Sequence, residues 1–345
     1  MILLRILLFP FSLLYYLITQ VRNYRYDHGL RSSVKFELPV ICVGNLSLGG
    51  TGKTPMIEHL IRLLQDRYKL ATLSRGYGRA TKGIRIAETA DNASTLGDEP
   101  FQFHTKFSKR VTVAVGEERA LAIPTILQEH PDIQVILLDD GFQHRQVSAG
   151  FNILLTDYHR PFYNDYLLPS GRLRESRSGA TRADVIVVTK CPASLPEEKM
   201  IEIERSIRGY ASRPVFFTTI RYGTPKPFSK TAAAPTKQIV LISGIANSKP
   251  LEAYAVENFT LIKHLEYRDH HTYTVTDIKN FVNLRRDHPQ VSFLTTEKDK
   301  VKLDVPQFHD LLNGIPLFYL PIEIDFLKAG EDFDEMVLNI VERAQ

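Results

Sequence analysis
The chain has 345 residues, enough for two domains with cores of their own, and its 43% hydrophobic and 24% charged residues are an ordinary globular composition. The net charge of +4 is a mild basic excess that suggests acidic partners, and no nucleic-acid partner is expected. Two cysteines, Cys42 and Cys191, in strand-like contexts argue against a disulfide framework and for a reduced cytosolic setting; eleven histidines without Cys/His ligand spacing argue against a zinc site.

The first predicted element is apolar. Residues 1–20 are nearly all Leu, Ile, Phe and Tyr, interrupted by Arg5 and Pro10. The stretch after Arg5 falls short of the roughly 20 residues that a spanning helix needs. No small-residue cleavage site follows, which speaks against a signal peptide. Arg22, Arg25 and Arg31 come next and suit anionic headgroups. The segment is expected to be a helix lying in one leaflet, with Phe9, Phe11, Tyr15 and Tyr16 at the boundary. The alternative is a helix packed into the core.

A short apolar strand at 39–43 precedes Gly49-Gly50-Thr51-Gly52-Lys53-Thr54, and a helical pattern follows. This is a phosphate-binding loop. Glycines let successive backbone N–H groups turn inward around phosphate oxygens, Lys53 reaches the β- and γ-phosphates, and the Thr54 hydroxyl meets Mg²⁺. The strict pattern wants glycine five positions before Gly52, where this chain has Ser47.

Further strands are predicted at 69–73, 110–115, 134–138, 152–156 and 184–189, with helices such as 56–65 and 119–129 between them. Runs this apolar are buried on both faces. They predict an α/β fold with a P-loop NTPase-like parallel sheet wrapped by helices, its ligands beyond the carboxyl ends of the strands. Segments 215–220 and 316–322 are expected to pair as a two-stranded connector to a smaller α/β domain. That domain would hold strands at 238–242 and 259–265 and a helix N-capped by Thr276, before a last helix at 332–343. The expected division is 1–21 interfacial helix, 22–214 P-loop domain, 215–325 connector and smaller domain, and 326–345 returning helix.

The loops after these strands carry unusual residues. The apolar run 136–138 ends in Asp139-Asp140, the arrangement in which an acid beside a P-loop holds Mg²⁺, and His144 and Arg145 follow near the phosphates. Ser74-Arg75-Gly76-Tyr77-Gly78-Arg79 suits a phosphorylated or sugar substrate, or is a mobile turn. Gly97-Asp98-Glu99-Pro100 is either a helix start or the source of a general base. Arg172, Arg174, Arg177 and Arg182 form the densest cationic run, able to neutralise a transferring phosphoryl group or simply solvated. Val187-Val188-Thr189-Lys190 lacks the Asp of a guanine-reading loop, which disfavours GTP. Arg268-Asp269-His270-His271 sits in a loop that could face the cleft.

Taken in order, Gly44-Asn45 with GGTGKTP, SRGYGR, GDEP, DDGFQH, LPSGRLRE, DHH and Thr296-Glu297-Lys298-Asp299 resemble the tetraacyldisaccharide 4′-kinase family, the lipid A kinases of Gram-negative envelopes. The likeness covers nearly the whole chain, with small departures at Ser170 and Arg172. It implies ATP- and Mg²⁺-dependent phosphorylation of the 4′-hydroxyl of a lipid disaccharide monophosphate at the cytoplasmic face of the inner membrane. By this resemblance Asp98 is the general base and His270 its partner, while Lys53 and Arg174 act on the phosphoryl group. Asn45, Gly49, Gly50, Thr51, Gly52, Lys53 and Thr54 would hold the nucleotide, and Thr54, Asp139, Asp140 and Glu175 the metal. Arg75, Tyr77, Glu99, Gln143, His144 and Arg172 would face the substrate. The competing reading is a P-loop nucleotide switch or metallochaperone. Those proteins often carry Lys before the paired glycines, where this chain has Leu48, and Cys- or His-rich metal loops that are absent from it.

Overall fold
The computed structural model describes residues 2–228 and 234–344, and in the first helix the side chains of residue 5 and of 7 onward. Met1, residues 229–233 and Gln345, which belong to predicted spans, lie outside the described residues. In chain order the first part runs α1 (Ile2–Asp27), β1 (Val40–Asn45), α2 (Lys53–Leu64), β2 (Leu70–Ser74), β3 (Arg85–Ile86), α3 (Ala93–Leu96) and α4 (Asp98–Phe107). It continues through β4 (Val111–Val115), α5 (Arg119–Glu129), β5 (Val135–Asp139), β6 (Phe151–Asp157), β7 (Val185–Thr189), α6 (Glu197–Arg208) and β8 (Val215–Tyr222). A second group follows: β9 (Lys226–Pro227), β10 (Gln238–Ser243), α7 (Lys249–Asn258), β11 (Thr260–Glu266), α8 (Val275–Asp287), β12 (Ser292–Thr296), α9 (Glu297–Leu303), α10 (Pro306–Leu312) and β13 (Leu317–Leu320). The chain closes with β14 (Ile322–Phe326) and α11 (Gly330–Arg343).

Nine strands form the main sheet in the order β14-β8-β7-β6-β1-β5-β2-β4-β3. The seven from β8 to β4 are parallel, and the edge strands β14 and β3 run antiparallel to their neighbours. Because successive side chains point to opposite faces, each central strand feeds two cores. Val40 and Cys42 of β1 join Ala122, Ile123 and Ile126 of α5 and Ile203 and Ile207 of α6 on one face. Ile41 and Val43 join Met56, Ile57, Leu60 and Ile61 of α2 on the other. Phe333, Val337 and Val341, spaced four apart on α11, are fully buried in that second layer. Each contributes about 1.5–3 kcal/mol relative to an exposed side chain, which is what returns the chain end to the first sheet.

The second sheet has the order β11-β10-β12-β13-β9, parallel except at β9. A two-stranded connector joins the sheets, but its strands differ from those expected. Strand β8 pairs antiparallel with β14, with Tyr222 opposite Ile322 and Thr218 opposite Phe326. Most of segment 316–322 is instead β13, inside the second sheet, and Pro321 alone separates it from β14. Proline has no N–H to continue a ladder, so the strand breaks there and changes sheet.

Other boundaries shift for local reasons. The helix expected to start at Thr276 is capped by Thr274: its Oγ1 accepts from the Asp277 N–H at 3.3 Å while the Asp277 carboxylate accepts from the Thr274 N–H at 2.8 Å. Helix α2 starts at Lys53, directly on the P-loop, and α1 runs on to Asp27 without a break at residue 21.

Helix α1 is turned the opposite way from a core helix. Ser12, Thr19 and Asn23 are its buried residues, whereas Leu7 (70% exposed), Phe11 (62%), Ile18 (60%) and Val21 (60%) face outward. Ser12 Oγ donates to the Leu167 carbonyl at 3.1 Å, Tyr15 OH to the Arg174 carbonyl at 2.8 Å, and Asn23 Nδ2 to Glu175 at 3.1 Å. The polar stripe docks on the protein, and the core-packed alternative does not hold. No helix among the described residues is long and apolar enough to cross a membrane.

Candidate functional site
The loops at the carboxyl ends of β1, β2, β5 and β7 converge on the P-loop. Gly52, at the start of α2, has φ +85°, a left-handed conformation that glycine adopts without Cβ strain. Gly44 lies so close to the next strand's loop that an added Cβ would sit 2.5 Å from Phe142 Cβ. This contact presses the Asp139–His144 loop against β1. Asn45, fully buried, donates from Nδ2 to Thr51 Oγ1 at 2.7 Å, and Thr189 Oγ1 donates to the Thr51 carbonyl at 2.8 Å. Lys190 donates to the Gly50 carbonyl and to Asp157 at 2.8 Å. Thr189 and Lys190 thus brace the phosphate loop from β7, where sequence reasoning had seen only an incomplete base-reading motif.

Arg174 arrives by backbone pairing. Leu48 N–H donates to the Arg172 carbonyl at 2.8 Å, and Arg174 N–H to the Leu46 carbonyl at 2.7 Å. Ser47, at the position where the strict P-loop pattern has glycine, bridges to Leu173 in this short ladder. The Arg174 guanidinium then grips Asp140 at 3.0 and 2.7 Å, and its Nη2 also donates to the Asn45 carbonyl at 3.1 Å and to the Asn45 side chain. Lys53 Nζ stands 3.7 Å from the same carboxylate. Burial works against a charged Asp140, yet Lys53 and Arg174 outweigh it and hold its carboxyl well below the usual range.

Its neighbour behaves oppositely. Burial pushes the Asp139 carboxyl up to about 6 against the pull of Lys53, with Asp140 and Glu99 adding repulsion. Ser74 donates to Asp139 Oδ2 at 3.3 Å, while Oδ1 is buried with no partner. A buried, unpaired carboxylate oxygen beside the P-loop is what a divalent cation would satisfy. Thr54 and Asp139 therefore fit Mg²⁺. Among the described residues no cluster of three His, Cys, Asp or Glu forms a metal cage, and Mg²⁺ commonly uses one or two carboxylates with phosphates and water.

Glu175 does not fit the metal role expected of it. Fully buried, it accepts from Arg182 at 2.8 Å, Gln143 at 2.9 Å and Asn23 at 3.1 Å. Gln143 also donates to the Asn45 carbonyl at 2.8 Å, so it is a strut rather than an open substrate contact. His144 is held neutral: burial, then Arg119 and Arg75, push its ring down to about 4. Arg119, which sequence reasoning passed over, is buried with Nε and Nη2 unpartnered. Arg172 is exposed beside Gly49, and Arg75 and Tyr77 are exposed in the loop after β2.

A second cluster forms where α4 meets the loop after β11. Asp98 is the first residue of α4, and the Tyr77 carbonyl packs 3.1 Å from where a Gly97 Cβ would be. His270 Nδ1 lies 3.6 Å from Asp98 Oδ2, and the Tyr77 ring meets the imidazole at a centroid distance of 5.9 Å. Asp98 and His270 are 172 residues apart in sequence and belong to elements of different sheets. Lys298, the second residue of α9, completes the group at 3.4 Å from Glu99 and 3.2 Å from His270 Nε2.

A parallel sheet with a P-loop, an acid-ended neighbouring strand and convergent Lys53 and Arg174 defines a P-loop phosphotransferase. A family model described as tetraacyldisaccharide-1-P 4′-kinase matches residues 4–342. The chain is 45% identical to the tetraacyldisaccharide 4′-kinase of Flavobacterium johnsoniae, with 98% of each covered. It is 40% identical to that of Bacteroides thetaiotaomicron, over 97% of this chain and 92% of the relative. Its fold is similar to the crystal structure of LpxK from Aquifex aeolicus in complex with ATP, with a TM-score of 0.77, 26% identity, and 98% of this chain and 99% of that one covered. The chain belongs to the tetraacyldisaccharide 4′-kinase family.

Proposed function
We propose a division of labour among these residues for the family's reaction. The chain is an ATP-dependent kinase that phosphorylates the 4′-hydroxyl of tetraacyldisaccharide 1-phosphate to give lipid IV-A in lipid A biosynthesis. The observation that carries the residue roles is the Asp98–His270 pair, which puts a carboxylate and an imidazole 3.6 Å apart.

Asp98 takes the proton of the 4′-hydroxyl as its oxygen attacks the γ-phosphorus; the bond to the β–γ bridging oxygen breaks and ADP leaves. The P-loop amides and Lys53 cradle the β- and γ-phosphates, and Asn45 fixes the loop through Thr51. Arg174, oriented by Asp140 and Asn45, neutralises charge on the transferring group. Thr54 and Asp139 would hold Mg²⁺, which when bound offsets charge on the phosphate oxygens. Arg75, Tyr77, Glu99, His144 and Arg172 face the acceptor. The exposed apolar face of α1 lies in the cytoplasmic leaflet of the inner membrane, with Arg25 and Arg31 among its headgroups, so the acyl chains stay in the bilayer.

Asp98→Ala separates chemistry from binding. Phosphorylation of the lipid falls by about 10²–10⁴-fold while ATP still binds. Lipid kinase activity equal to that of the unaltered protein removes Asp98 as the base.

A further inference from the structure
We propose that Lys298 is a positioning residue that fixes the tautomer of His270, so that the imidazole presents Nδ1–H to Asp98. The inference rests on the reading of Asp98 and His270 given above. Lys298 Nζ lies 3.2 Å from His270 Nε2. An ammonium has three donors and no acceptor, and Asp269 Oδ2, the other group facing Nε2, stands 3.8 Å away, beyond hydrogen-bond reach, so Nε2 accepts from Lys298 and the single proton of the neutral ring sits on Nδ1. That nitrogen is the one 3.6 Å from Asp98 Oδ2. The opposite tautomer would point two lone pairs at each other across this gap and an N–H at an ammonium.

The cation is held in place from two sides. Glu99 Oε1 is 3.4 Å from Lys298 Nζ and Asp269 Oδ1 is 3.5 Å from it. Asp269 Oδ1 also accepts the His270 backbone N–H at 3.1 Å, and His270 itself has φ +56°, a strained conformation for a residue with a Cβ. On the same helix turn Glu297 accepts from Lys106 Nζ at 2.8 Å, near the far end of α4. One turn of α9 therefore grips α4 at both ends and sets the imidazole against its first residue.

The groups facing His270 are Asp98 and Glu99 from α4, Asp269 beside it, Lys298 from α9 and the Tyr77 ring from the loop after β2. Lys298 supplies the cation that faces this ring among three carboxylates.

Two measurements test this. In the full chain labelled with ¹⁵N-histidine, with His270 assigned by difference against His270→Gln, the neutral ring should show a protonated Nδ1 and an imine-type Nε2. A predominant Nε2–H form overturns the proposal whatever any variant does. Lys298→Met should cut kcat by on the order of tenfold or more and leave the KM for ATP within twofold. Lys298→Arg, which keeps a donor-only cation, should restore most of the rate. A Lys298→Met enzyme with full activity, or a Lys298→Arg enzyme as impaired as Lys298→Met, overturns the tautomer role. Full activity in Asp98→Ala would instead remove the underlying reading, so the two failures are distinguishable.

Discussion

The two residue clusters of this site are built differently. At the phosphate end, Asn45 closes β1, Lys53 opens α2 and Asp140 and Arg174 sit on loops, all at the carboxyl edge of one sheet, and Arg174 grips Asp140 in a charge-assisted pair at 2.7 and 3.0 Å. At the proposed base end, Asp98 comes from α4 beside the first sheet and His270 and Lys298 from elements of the second, with 3.6 Å between Asp98 and His270 and 3.4 Å between Glu99 and Lys298. A single rigid sheet can preorganise charge for a phosphoryl group. The proposed base, which must admit a bulky lipid sugar, is assembled where elements of two sheets meet, and β8 and β14 pair between those sheets.

Perturbing each end should show the difference. The largest effect is expected from Arg174→Gln, which loses the bidentate grip on Asp140 and the donor to Asn45. kcat should fall by about 10²–10³-fold, with little change in the apparent affinity for lipid. A change confined to KM would mean that Arg174 serves binding and not charge neutralisation.

Glu175→Gln addresses rigidity rather than chemistry. Its buried carboxylate serves Arg182, Gln143 and Asn23, and removing the charge leaves Arg182 facing a neutral group, at a cost approaching the roughly 3–5 kcal/mol of a broken buried pair. The Tm should drop at neutral pH. Burial opposes the charge on Glu175, but Arg182, Gln143 and Asn23 hold the carboxyl below its usual range. A depressed folded value gives stability that is complete above the unfolded value of about 4.3 and fades as pH falls through the folded one. The Tm gap between the two proteins should therefore narrow in acid, and a gap that widens there contradicts the assignment.

The smallest effect on chemistry belongs to α1. Replacing Leu14, Ile18 and Val21 by Ser should weaken co-sedimentation with anionic vesicles and raise the KM for lipid, leaving kcat and Tm nearly unchanged. Those side chains touch solvent, so a large fall in Tm would show that the apolar face packs on protein after all.

The sequence by itself determined the local scaffold of the phosphate end, the P-loop and the acid-ended strand beside it, but not the contacts of Thr189, Lys190, Arg119 and Glu175 around it. Its residues lie in contiguous motifs, because a strand, a turn and a helix start fix the spacing of Gly52, Lys53 and Thr54, and a strand ending in Asp139-Asp140 fixes its acids. The parallel sheet was legible for the same reason, since strands buried on both faces show as unbroken apolar runs. Only the tertiary structure decided what distant residues do to one another. It made Glu175 a buried strut rather than a metal ligand, moved the connector partner from 316–322 to β14, turned the polar stripe of α1 inward, and brought Lys298 beside a histidine 28 residues away. Local backbone geometry repeats with sequence spacing. The partners of a side chain depend on how whole elements pack, which no spacing encodes.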